Sequence, residues 1–247
     1  MKKTLKKIIY SFVIVSVLFL GVLSIKALAE YGPDDVGYTF YTLKDGSSSS
    51  TSVTGMELKV VVTGISPKKT VSIGQVNSGI KFGTEGVYTI PSSITLDDGH
   101  VYLVTGLLKD AFKQNSDLEK VILPDGISKI EESAFVSCTA LKEINIPTGT
   151  TSIGNSAFSG CSSLATVNMQ GNITSIGHSA FCNCQGLSEI TLPESLTDIG
   201  NYAFQATGLV NVTIPKDVQS INEGTFSSCT KLVSAVISEG ITTIGNS

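Results

Sequence analysis

The chain has no arginine, two histidines and a charged fraction of only 15%. Arginine is the side chain that grips phosphate or carboxylate with a two-pronged fork, so its absence removes the usual reader of such groups. The formal net charge is −4, which argues against nucleic acid and anionic lipid as partners. The histidines, His100 beside an Asp-Gly turn and His178, come with no nucleophile tied to either. There is no His-x-x-x-His pair, no Cys-x-x-Cys pair and no glycine-rich phosphate loop after a strand. The acids are scattered. No enzyme activity, cofactor or metal is expected from such a sequence.

One long apolar run is present, at residues 8–25, behind Lys2, Lys3, Lys6 and Lys7 and ahead of small residues Ala27 and Ala29. Residues 1–29 therefore read as a signal peptide cleaved after Ala29. The run is long for a leader and near the lower limit for a span, so an uncleaved membrane anchor is the alternative. Under either reading the remainder is exported. Without the leader, 12 lysines face 21 acids, a net charge of −9.

The phenylalanines carry the organisation. Phe112, Phe135, Phe158, Phe181, Phe204 and Phe226 follow one another at intervals of 23, 23, 23, 23 and 22 residues. Units aligned on them read "LEKVILPDGISKIEESAFVSCTA", "LKEINIPTGTTSIGNSAFSGCSS", "LATVNMQGNITSIGHSAFCNCQG", "LSEITLPESLTDIGNYAFQATG", "LVNVTIPKDVQSINEGTFSSCTK" and an unfinished "LVSAVISEGITTIGNS". Apolar residues at the first, fourth and sixth positions alternate inward as in a short strand, and Pro124, Pro147, Pro193 and Pro215 end it. A second apolar pair, such as Ile127 and Ile130, turns the chain back, and Ala-Phe drives an aromatic wedge into a tight turn. One such unit cannot bury its own apolar face, whereas stacked units share a core. Units stacked at about 4.8 Å predict a parallel sheet along one side of a solenoid.

The pattern L-x-x-I-x-I-P-x-x-[VI]-x-x-I-G-x-x-A-F-x-x-C resembles the bacterial leucine-rich repeats of the BspA-like (Treponema pallidum) type over residues 118–247. The stretch "DGHVYLVTGLLKDAF" is similar to the degenerate opening repeat of such proteins, placing a first repeat at 87–117. The resemblance implies a leucine-rich-repeat solenoid of 23-residue repeats, with a parallel β-sheet on one side and short turns or helical turns on the other. It also implies a secreted or cell-surface protein, since the family is mostly known as surface and secreted proteins, some of which bind host matrix proteins or other cells. Residues 30–86 lack the period; "VGYTFYTL" and "MELKVVVTGI" alternate like strands around a Gly/Ser loop. They are expected to form a small β-rich cap, although Phe40 and the tyrosines would also suit a contact patch. The sequence stops before the Ala-Phe of its last unit, and the expectation is a fragment or early stop of a longer protein.

Cys138, Cys161, Cys184 and Cys229 share the twenty-first position of their units, with Thr207 marking the unit one residue shorter. They are expected to be buried space-fillers, free or with a single bridge such as Cys161 to Cys184. In "SIGHSAFCNC", His178 takes a position expected to face water, which leaves too few converging ligands for a metal. The candidate site is a surface. The third and fifth positions of each first strand point outward, giving one row of Lys120, Glu143, Thr166, Glu189, Asn211 and Ser234, and another of Ile122, Asn145, Asn168, Thr191, Thr213 and Val236. Lys120, Glu143, Asn145, Thr166, Asn168, Glu189, Thr191, Asn211 and Thr213 are the candidate protein-binding face, and the partner expected is a host-matrix or cell-surface protein. Membrane contact is expected only through an uncleaved N-terminal segment. A non-binding spacer of the envelope, or an accessory domain of a longer secreted protein, is the alternative.

Overall fold

The computed structural model describes residues 26–29, 40–44, 57–64, 69–76, 86–95 and 100–246. The apolar run at 8–25 and the Gly/Ser loop lie outside the described residues. Strands β1 (Lys26–Ala29), β2 (Phe40–Lys44), β3 (Glu57–Gly64) and β4 (Thr70–Val76) pair antiparallel in chain order. Next come β5 (Val87–Thr89), β6 (Ser93–Thr95) and β7 (Val101–Leu107). Because β4 pairs parallel with β7, the antiparallel strands are continuous with the repeats. Cleavage after Ala29 would remove β1 and leave β2 as the sheet edge.

From residue 118 each coil contributes strands to two parallel ladders. The strands are β8 (Lys120–Ile122), β9 (Lys129–Ile130), β10 (Glu143–Ile146), β11 (Ser152–Ile153), β12 (Thr166–Met169), β13 (Ser175–Ile176), β14 (Asp198–Ile199), β15 (Asn211–Ile214), β16 (Ser220–Ile221), β17 (Ser234–Ile237) and β18 (Thr243–Ile244). The front ladder joins β5, β8, β10 and β12, with Glu143 opposite Lys120 on one side and Thr166 on the other. The second ladder joins β7, β9, β11, β13 and β14. The alternation read from the sequence is the burial pattern observed: Ile144 and Ile146 are buried while Asn145 is exposed.

The third side consists of turns, and no helix occurs among the described residues. Ser133, Ser156, Ser179 and Tyr202, each just before Ala-Phe, hold positive φ between 53° and 58°. Gly224 takes φ 60° in the same column, where a Cβ would lie 2.2 Å from the Tyr202 ring. These turns are linked from coil to coil: the Phe135 N–H donates to the Ala157 carbonyl at 2.7 Å, and the Phe158 and Phe181 N–H groups repeat the bond at 2.8 Å. Through the first three coils all three sides are thus hydrogen-bonded along the stack, and little backbone is left for the core to satisfy.

The wedge phenylalanines form one continuous stack. Ring centroids are 5.1 Å apart for Phe112 and Phe135 and 5.6 Å apart for Phe204 and Phe226, with planes within 2–6° throughout. Spacing larger than face-to-face contact means offset stacking, the favoured arrangement for parallel rings. Tyr88 tilts over the first ring at 5.9 Å. In the last coil Val233, Val236, Ile237 and Ile244 are exposed.

Candidate binding face and the break at coil four

The front ladder is interrupted at coil four. Residues 189–192, where the sequence predicts a strand like its neighbours, carry no strand, and β15 pairs only with β17. No backbone hydrogen bond joins residues 166–169 to 189–192; the Val210 N–H still reaches the Ser188 carbonyl at 3.0 Å. On the second ladder β14 and β16 are likewise unpaired, and the Asn222 side-chain amide donates to the Ile199 carbonyl at 2.6 Å in place of a ladder bond. Coil four is the 22-residue unit, so Leu209 arrives one residue early after Phe204. The Phe column stays continuous through it, so the core holds the stack where the ladders part.

The outward rows lie where the sequence puts them. Asn145, Thr166, Asn168, Glu189, Thr191, Asn211 and Thr213 are exposed, and Lys120 and Glu143 are half-exposed because they form an ion pair with each other. The neighbouring Glu119 and Lys142 pair in the same way. Such surface pairs contribute at most about 1 kcal/mol each. Asn168 donates its side-chain amide to Asn145 Oδ1 at 2.8 Å, fixing two adjacent members of the second row. Glu189 has no such partner, because Thr166 rather than a lysine precedes it in register.

Where the ladder parts, the face hollows into an open cleft of about 690 Å³. Coil four supplies residues 188–192 and Glu194, with residues 165–168 on one flank and 210–213 and Pro215 on the other. Glu194, Ser188 and Pro215 escape a reading of repeat columns because each looks like an ordinary unit position. The nearest irregularity in the sequence is the missing residue between Phe204 and Leu209, at the join of coils four and five. A second hollow of about 420 Å³, lined by Asp198, Asp217 and Asn222 among others, marks the break between β14 and β16.

The column cysteines do more than fill space. Cys138, Cys161, Cys184 and Cys229 each aim Sγ at the carbonyl of the preceding coil's phenylalanine, at 2.9, 3.1, 3.1 and 3.0 Å. All five cysteines are free thiols in the structure, including the pair Cys161 and Cys184. Burial disfavours the thiolate: it pushes Cys138 up to about 12 and raises Cys161, Cys182 and Cys184 above the usual thiol range. His178 is exposed and meets the Tyr202 ring edge-on at 5.7 Å, while the Tyr202 hydroxyl donates to Glu223. Among the described residues no group of three or more His, Cys, Asp or Glu side chains converges as a metal site would require.

Residues 151–247 match the family model described as "BspA type Leucine rich repeat region (6 copies)". Among solved structures, the leucine-rich repeat protein of T. pallidum is 29% identical, with a TM-score of 0.64 over 74% of this chain and 81% of its own. A leucine-rich repeat protein from Eubacterium ventriosum is 20% identical with a TM-score of 0.52, covering 75% of this chain and 48% of that one. No curated protein matches. With the 23-residue ruler, the stacked phenylalanines and the parallel ladders in hand, the repeats at residues 151–247 are similar to the BspA type of bacterial leucine-rich repeat.

Proposed function

We propose that this is an exported bacterial protein, secreted or held at the cell surface, that binds protein through the front face of its repeat array. The observation that carries the reading is the pair of side-chain rows on the front ladder. Seven of the nine candidate residues are exposed there, five of them on the paired strands β10, β12 and β15 and two, Glu189 and Thr191, on the unpaired segment of coil four. A rigid comb of amides, hydroxyls and carboxylates loses little conformational entropy on binding, which suits recognition of a protein surface or an extended segment. Export rests on the reading of residues 1–29 as a signal peptide. The acidic balance and the absence of arginine point away from nucleic acid.

The test is binding of the purified protein to a panel of immobilised extracellular-matrix and cell-surface proteins, beside a variant with Glu143, Asn145, Asn168, Glu189 and Thr191 all changed to alanine. Saturable binding that the variant loses, with its melting curve intact, supports the reading. A folded protein that binds nothing on the panel favours the envelope spacer instead.

A further inference from the structure

We infer that the junction between coils four and five is a hinge, with the turn side as its axis and the Asn222 side chain as a latch across its open side. At the other junctions two backbone bonds close the second ladder at its ends. Thr151, Thr174, Thr197 and Thr242 each donate N–H to the preceding coil, at 3.3, 2.9, 3.0 and 2.8 Å. Gly154, Gly177, Gly200 and Gly245 donate to Ile130, Ile153, Ile176 and Ile221, at 2.8, 2.9, 2.8 and 2.7 Å. Gln219 and Asn222 hold these two places in coil five, and neither N–H finds a backbone carbonyl of coil four among the described residues. The strands between them, β14 and β16, are unpaired. Ile221 is only half-buried where Ile153, Ile176 and Ile199 are buried, although Val212 and Ile214 of its own coil are buried too.

The cause is a side chain where the neighbouring coils have none. A Cβ on Gly154, Gly177 or Gly200 would lie 2.5, 2.6 or 2.5 Å from backbone of the coil before, so the column closes only with glycine. Glu131, whose predecessor in the column is Leu108 rather than a glycine, keeps its bond to Leu107 at 3.0 Å. Asn222 follows Gly200, so its backbone stands off and its side-chain amide spans the gap. Nδ2 donates at 2.6 Å to the Ile199 carbonyl, the acceptor that a glycine N–H would take. The turn side, by contrast, is fully bonded: the Tyr202, Phe204 and Ala206 N–H groups donate to Glu223, Thr225 and Ser227 at 2.8, 2.9 and 2.8 Å. With backbone bonds concentrated on one side of a junction, rotation about that side is the motion least resisted. Coil four stays with the first block through β13 and β14, while β15 to β18 make the second. Lys120 to Thr191 of the candidate face therefore ride on one block, and Asn211 and Thr213 on the other.

The experiment is amide hydrogen exchange and relaxation dispersion, both by nuclear magnetic resonance, on the purified wild-type protein and on N222G. In the wild type the Gln219 and Asn222 amides are expected to be about tenfold or more less protected than those of Thr197 and Gly200. They are also expected to be less protected than Thr242 and Gly245, which lie nearer the open end; fraying from that end gives the reverse order. Amides of β15 to β18 are expected to show microsecond-to-millisecond exchange that β10 to β13 lack. In N222G the backbone N–H takes the Ile199 carbonyl, which is expected to raise protection at Gln219 to that of Thr197 and to quench the dispersion. Wild-type protection at Gln219 and Asn222 equal to that at Thr197 and Gly200, or above that at Thr242 and Gly245, overturns the hinge, and this comparison needs no variant to fold. A folded N222G with protection and dispersion unchanged overturns the role of Asn222 as its latch.

Discussion

Phe181 lies between Phe158 and Phe204, parallel to both and fully buried, so its removal opens a cavity that two coils share. Phe181→Ala is expected to cost about 3–5 kcal/mol, read as a lower midpoint in urea melts followed by circular dichroism. An unchanged midpoint would sink the stacked-core account. The buried thiols give a pH signature whose sign follows from burial. Their folded-state affinity for the proton exceeds that of the unfolded chain, so the stability they contribute is fully present below the ordinary thiol pKa. It is lost as pH rises through the folded values. Melting temperature is therefore expected to fall from about pH 9 upward, and to fall less steeply in Cys138→Ser, which lacks the thiol held up at about 12. The column itself was legible in the sequence as small buried side chains. The bond from each sulfur to a carbonyl of the preceding coil was not, because that acceptor lies 25 or 26 residues away and meets the thiol only once coils stack.

At the level of elements, the turn side depends on residues that tolerate left-handed backbone. Gly224 sits at φ 60° against the Tyr202 ring, so Gly224→Ala is expected to lose about 1–2 kcal/mol in the same melts. The strands of the front ladder were predicted from alternation, and β8, β10, β12, β15 and β17 occur where units place them. The strand predicted in coil four does not form although "LSEITLP" has the same pattern. A strand is defined by bonds to its neighbours, and a unit's own residues do not report whether those neighbours stay in register.

Across the whole molecule, the break at coil four divides the front ladder into a four-stranded block and a two-stranded block. In a stack where each coil contacts only its neighbours, opening spreads from weak interfaces and open ends. Amides of β15 and β17, whose block also carries exposed Val236 and Ile237, are therefore expected to exchange faster than those of β8 and β10. Equal protection in both blocks would show that the phenylalanine column alone makes the array one cooperative unit.

The sequence by itself determined the repeat length, the inward and outward faces of each strand, the aromatic column and the rows available for binding. Each follows from a periodicity, and a periodicity is a property of the chain read along its own length. Tertiary structure alone decided that the back of the repeats is built from linked left-handed turns, that the column thiols donate to the preceding coil, and that the front face opens at coil four. Those three depend on distances between coils. Removing one residue after Phe204 changes how coils four and five meet while leaving the apolar pattern of both intact.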